Sequence, residues 1–326
     1  MHIHLEYFDN IALLKDNNPR KNEINITNVV VSILRKINIS FSMGYKIDDF
    51  IKHEKDIQIH LGLQNKELFV ERKKKNTSKL YDLFFSNNPN FYVFEAMPKH
   101  NKIPLFDNSN LVYISKGSYN HNYKELFPVK KYKFKSFEKY LNLPLQELKI
   151  NHTSNYIVVL IQNYNPIKCW FGWKENDFYI WLERETKVID IILNKTTKDI
   201  IVKFHPNTLQ KYVSIFINKN CNKNLKYCDE LESSIFDICK DAYCCIVNSG
   251  TSALALCILG IPIFYIDDYY STLPMSVFGR NIEDVNLNSF CVEDLPCQSY
   301  ALDLIASQMF HFNELESFII YNLNNN

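Results

Sequence analysis

Two short β-branched runs in this chain each stop at a tight group of polar residues, and each group opens a helix. Ile200-Ile201-Val202 is followed by Lys203, His205 and Pro206. Cys244-Cys245-Ile246-Val247 is followed by Asn248-Ser249-Gly250-Thr251-Ser252. Strand, polar cluster and helix, repeated in this order, point to a layered α/β fold. In a parallel sheet both clusters fall at the carboxyl edge, where open α/β sheets bind ligands. The second cluster combines backbone N–H groups at a helix start with three hydroxyls, which suits a phosphate. A cationic His205 and Lys203 suit the same anion.

The flanking sequence extends the pattern. Strands are expected at Tyr156–Ile161, Ile200–Phe204, Leu225–Tyr227, Tyr243–Val247 and Ile261–Ile266. Helices are expected at Asp177–Leu193, Thr208–Ile217, Ser233–Lys240 and Thr251–Leu259, the last stopped by Gly260 and Pro262. Trp181, Val188, Ile189 and Ile192 recur at helical spacing. The tail from Gln298 to Ile319 reads as mostly helical. This order predicts a doubly wound parallel sheet. The first half alternates expected strands (His2–Tyr7, Ile37–Ser42, Ile57–Leu61, Phe91–Glu95, Leu111–Ser115) with helices near Ile26–Arg35, Ser78–Phe85 and Ser136–Tyr140. Lys124–Thr153, with Pro128 and Pro144, reads as a connector. The expectation is two Rossmann-like domains, 1–150 and 151–326.

At 326 residues the chain is long enough for two ordinary domains. No apolar run reaches the roughly 18 residues of a membrane span, and the start lacks a signal-peptide core. A cytoplasmic protein without a membrane span is expected. The nine cysteines form no CxxC pair, which supports neither a disulfide framework nor a zinc site. Cys244, Cys245 and Cys257 sit in apolar runs as small core residues. A net charge of +1 names no partner. Val129–Tyr140 and Glu71–Lys75 are locally basic. They read as solvated lysine-rich surface, with nucleic acid as the alternative. No GxGxxG, P-loop, GxSxG or HExxH motif is present.

The IIVKFHP strand end and the NSGTSALALCILGIPI segment resemble the C-terminal half of capsule-polysaccharide glycosyltransferases. Those are the Kdo transferases and the wider sialyltransferase-like GT-B enzymes with an HP motif. A narrower likeness runs through Gln162, Trp170, Asp177, Trp181, Lys203-x-His205-Pro206, Asn248-Ser249, Gly260-Ile261-Pro262 and Ile266-Asp267. It is similar to a glycosyltransferase-like family of phages and large DNA viruses. The resemblance covers about half the chain, Tyr156 to Leu315. It implies a two-domain GT-B architecture and sugar transfer from a nucleotide sugar. The donor phosphate would be held by His205, Ser249, Thr251 and Ser252. Two departures stand out. Leu254 occupies the position of a ribose-contacting glutamate, and Ser115-Lys116-Gly117 lacks the carboxylate of an acidic-Gly cluster.

The residues complete the expected site. Gln162 and Asn163 end a strand toward the cleft, Lys203 alternates with His205, and Asn248, Gly250 and Asp267 join the donor set. Asp267-Asp268 is not a DxD motif, so no metal and no cofactor beyond the nucleotide-sugar co-substrate is expected. Glu95, at a strand end, is the expected catalytic base, with His100 and His121 behind it. Trp170, Trp173 and Trp181 are expected as core or loop anchors. The acceptor is a glycan or, alternatively, a modified DNA base. Transfer of a polyol phosphate and a non-catalytic nucleotide- or glycan-binding module are the remaining readings.

Overall fold

The structure, a computed structural model, describes residues 3–6, 21–44, 57–61, 91–96, 99–100, 103–106, 111–116, 134–164, 177–228, 234–247, 250–266 and 275–325. The chain divides into two compact units. The first takes the chain up to Asn142, apart from Lys99–Ile103, together with Asp303–Asn326. The second is Lys99–Ile103 and Leu143–Leu302. Each unit is built on its own six-stranded sheet with helices, so the α/β class expected from the sequence is what the chain has.

In the first unit the strands are β1 (Ile3–Glu6), β2 (Phe41–Gly44), β3 (Ile57–Leu61), β4 (Phe91–Ala96) and β7 (Leu111–Lys116). A short pair, β5 (Lys99–His100) and β6 (Ile103–Pro104), lies apart from this sheet. β2, β1, β3 and β4 run parallel, and β7 lies antiparallel to β4. Helix α1 (Lys21–Lys36) buries Ile26, Val30, Ile33 and Leu34 at i, i+4, i+7 and i+8, the stripe of an amphipathic helix.

The expected strand at Ile37–Ser42 begins later, because α1 ends in a Schellman motif. Asn38 takes the left-handed conformation at φ 54°. The Ile39 N–H reaches the Leu34 carbonyl at 3.0 Å and the Asn38 N–H reaches Arg35 at 3.2 Å. Only then does the chain extend into β2. The helix expected at Ser78–Phe85 lies outside the described residues.

The second sheet is parallel throughout. Its strands are β8 (Tyr156–Ile161), β9 (Asp199–Phe204), β10 (Lys226–Tyr227), β11 (Cys245–Ile246), β12 (Ile263–Tyr265) and β13 (Arg280–Asn281). Their spatial order is β10-β9-β8-β11-β12-β13. Counted within the unit, this is 3-2-1-4-5-6, the doubly wound order. Central strands of such a sheet are covered on both faces and read as unbroken apolar runs. Ile157 through Ile161 of β8 are all buried accordingly.

The helices of the unit are α2 (Phe178–Lys195), α3 (Gln210–Lys219), α4 (Ile235–Cys239) and α5 (Gly250–Ile258). Helix α6 (Gln298–Ser307) follows. Helix α5 is buried along Ala253–Ile258, as befits a helix apolar on every side. It ends at Gly260, φ +64°, in a second Schellman motif, with Ile261 N–H on the Leu256 carbonyl at 3.0 Å.

Two expectations change. The tail is not continuous helix: β14 (Met309–His311) interrupts it and pairs antiparallel with β7, and helix α7 (Leu315–Asn325) packs its Leu315, Phe318 and Ile319 into the first core. Those residues were expected in the second domain. They belong to the first because Met309, Phe310 and His311 in extended form complete its sheet, with Met309 and Phe310 buried. The expected boundary at 150 lies seven residues past Leu143, where the main segment of the second unit starts. Within the expected connector, Phe134 and Phe137 are buried in the first unit, and His311 stacks on Phe137 at 5.7 Å. Lys135 is exposed, while Lys130, Lys131 and Lys133 lie outside the described residues.

Candidate functional site

In a sheet of order 3-2-1-4-5-6 the connections leave in opposite directions from strands 1 and 4. A crevice opens there at the carboxyl ends. Here those strands are β8 and β11. Strand β8 ends at Ile161 and delivers Gln162, half-buried, and Asn163, 3% exposed. Helix α5 opens at Gly250 after β11, and Ser252, half-buried, lies in its first turn. Asn248, Ser249 and Asp267 lie outside the described residues, as does the side chain of Thr251.

Strand β9 neighbours β8 in register, with Phe204 opposite Ile161, and the His205 N–H bonds the Ile161 carbonyl at 3.2 Å. His205 therefore sits at the same edge as Gln162 and Asn163. His205-Pro206-Asn207-Thr208 then form a tight turn closed by Thr208 N–H on the His205 carbonyl at 2.8 Å. Proline at the second position has the fixed φ such a turn needs. Helix α3 starts later than expected, at Gln210, with Leu209 at its N-cap and no side-chain cap bond. The Thr208 hydroxyl is buried and has no hydrogen-bond partner among the described residues.

The imidazole of His205 is engaged within its own turn. Its Nδ1 accepts the Asn207 N–H at 3.1 Å. An accepting ring nitrogen carries no proton, so this geometry belongs to the neutral ring. The Asn163 amide in turn donates to the Asn207 carbonyl at 3.1 Å. Neither contact formed part of the expected site. The first is local: Pro206 has no N–H, so Asn207 supplies the first amide after the ring.

Lys203 is 4% exposed. It points away from the face that carries the core residues Ile200, Val202 and Phe204. Burial holds its ammonium below the usual lysine range, with Cys228 and Cys239 acting in the opposite sense. Its folded value lies below its unfolded one. The penalty is therefore full below the folded value and fades as pH rises through it toward the unfolded value.

Burial pushes the Cys257 thiol up to about 12 and raises Cys244 and Cys245 as well. These are inert core residues rather than nucleophiles. Trp181 is fully buried, while Trp170 and Trp173 lie outside the described residues. Glu95 belongs to β4 of the first unit, with its side chain outside the described residues, as is that of His100; His121 is wholly outside them. Among the described residues no three His, Cys, Asp or Glu side chains converge as a metal site would require, and no helix is long and apolar enough to cross a membrane.

No family model matches the chain, and no curated protein does. Two solved structures of UDP-GlcNAc 2-epimerase from Methanocaldococcus jannaschii are similar, one of them in complex with UDP-GlcNAc and UDP. Each is 15% identical, with 94% of this chain and 98% of the other covered, at TM-scores of 0.34 and 0.31.

Proposed function

We propose that the second unit binds the phosphates of a nucleotide sugar at the crevice between β8 and β11, and that the protein is a glycosyltransferase. The observation that carries this is the strand order. It puts the switch point between Gln162-Asn163 and the start of α5, with His205 on the adjoining strand end. The donor set we propose is Gln162, Lys203, His205, Asn248, Ser249, Gly250, Thr251, Ser252 and Asp267. In the reaction an acceptor hydroxyl oxygen attacks the anomeric carbon. The bond from that carbon to the phosphate oxygen breaks, and its electron pair stays on the phosphate. Backbone N–H groups, hydroxyls and the His205 N–H would meet that growing charge. A base takes the acceptor proton, and we assign that part to Glu95. The acceptor we favour is a glycan, with a modified DNA base as the alternative.

Calorimetric titration with CMP, CDP, UDP, GDP and GMP tests the reading. His205→Ala should weaken the best nucleotide by about 1.5–3 kcal/mol, the scale of a hydrogen bond to a charged group. That is roughly 10- to 150-fold, with unchanged thermal unfolding. Equal affinities would remove His205 from the site. A second reading, binding without transfer, is favoured by Leu254. It is buried in α5 where the resemblance puts a glutamate. Release of free sugar from a nucleotide sugar without acceptor would decide for the enzyme.

A further inference from the structure

We infer that Asn163 is a positioning residue that sets which nitrogen of His205 carries the proton. The two residues are joined through the main chain of Asn207. The Asn163 amide donates to the Asn207 carbonyl at 3.1 Å, and the Asn207 N–H donates to His205 Nδ1 at 3.1 Å. Asn163 lies two residues past the end of β8 and is buried, so its side chain is shielded from solvent. Beside it Tyr164 is fully buried and locked in edge contact with Phe178 (5.3 Å) and Tyr212 (5.2 Å). The turn at 205–208 is thus fastened at three points: His205 N–H on β8, Thr208 N–H on His205, and Asn207 carbonyl on Asn163.

The consequence is chemical. With Nδ1 accepting, the neutral ring holds its proton on Nε2 and offers it as a donor. A turn free to rotate would let the ring exchange tautomers, and the alternative form presents a lone pair on Nε2, which repels a phosphate oxygen. Asn163 thereby selects the donor form without touching the ligand. That last step rests on the reading of His205 as a phosphate contact; the tautomer itself does not.

The experiment separates the two. Imidazole ¹⁵N spectra of the ligand-free protein report the protonated nitrogen directly. Wild type should show His205 protonated at Nε2. Asn163→Leu, similar in size but without a donor, should lose that preference and bind UDP about five-fold more weakly, the scale of one neutral hydrogen bond. Asn207→Ala keeps both main-chain contacts and should match wild type in both measurements. A wild-type ring protonated at Nδ1 overturns the inference, and so does an Asn163→Leu spectrum identical to wild type. Should Asn163→Leu fail to fold, Asn163→Ser, too short to reach the Asn207 carbonyl, is read the same way. If the spectra change while His205→Ala leaves UDP affinity untouched, the positioning role stands and the phosphate reading of His205 falls.

Discussion

Gly260→Ala is expected to destabilise the second unit by about 2–5 kcal/mol. Two separate terms add. The residue sits at φ +64°, where a Cβ costs roughly 1–2 kcal/mol. A Cβ there would also overlap the main-chain carbonyl of Glu147, and backbone cannot swing aside as a side chain does. Overpacking of that kind costs typically 1–3 kcal/mol or more. The neighbourhood is fastened on both sides: Gln146 N–H bonds the Ile258 carbonyl at 2.9 Å and Lys149 N–H the Gly260 carbonyl at 3.1 Å. The Gln298 amide holds the same segment at Gln146 (2.8 Å) and accepts from Leu148 (3.2 Å). Gly279→Ala meets the Ile263 carbonyl without the left-handed backbone, so it should cost less. Urea unfolding of the two variants measures the difference. A Gly260→Ala protein as stable as wild type would show that the 144–150 segment is not held against α5.

Trp181→Ala should cost a similar 3–5 kcal/mol, the usual range for a buried large aromatic. Trp181 is fully buried in a cluster with Tyr164 (5.9 Å), Phe178 (5.3 Å) and Phe216 (6.3 Å). Among the described residues its indole Nε1 has no hydrogen-bond partner. A buried donor left without a partner costs about 1–3 kcal/mol, and a phenyl ring in its place has no donor to satisfy. Trp181→Phe removes that donor while leaving a smaller void, and should fall within about 1 kcal/mol of wild type. Equal losses in the two variants would mean that a water or other partner satisfies the indole. Tyr164 follows Asn163 directly, so the Ala variant should also blur the His205 ¹⁵N pattern.

The parts of the fold that could be read from sequence are those where one face of an element is strictly apolar. Strands β8 and β9 lie within a residue of expectation, because their β-branched runs are unbroken. The α2 stripe of Trp181, Val188, Ile189 and Ile192 is buried as its spacing requires. Strand β13, two residues long, carries Arg280 and Asn281 and has no hydrophobic signature to find. Strand β14 was hidden differently. Met309-Phe310-His311 sits between two helical stretches, and a short apolar run fits helix or strand equally. Only pairing with β7, nearly two hundred residues away, decides it. At the site, strand-end residues such as Gln162 and His205 stood out by position. The link from Asn163 to Asn207 spans 44 positions and involves main chain on one side, so side-chain chemistry gave no sign of it. The bond from Asn207 to the His205 ring was legible in principle, since His-Pro-Asn leaves a single nearby amide for the ring.

The return of the tail to β7 has a consequence for how the molecule is made. Tyr113 and Gln308, whose side chains bond across the β7–β14 junction, are 195 positions apart. The first unit's opening strands leave the ribosome before the bulk of the second unit, and its edge strand and covering helix α7 leave after it. Almost all of the second unit, from Leu143 to Leu302, emerges between them as one stretch. The second unit can therefore finish folding before the first, even though the first begins emerging sooner. Until β14 has emerged, β7 waits as an unpaired edge, a state prone to wrong partners. Closing so long a loop adds little equilibrium cost, because loop entropy grows only logarithmically, but it delays the step on which the first unit's cooperativity depends.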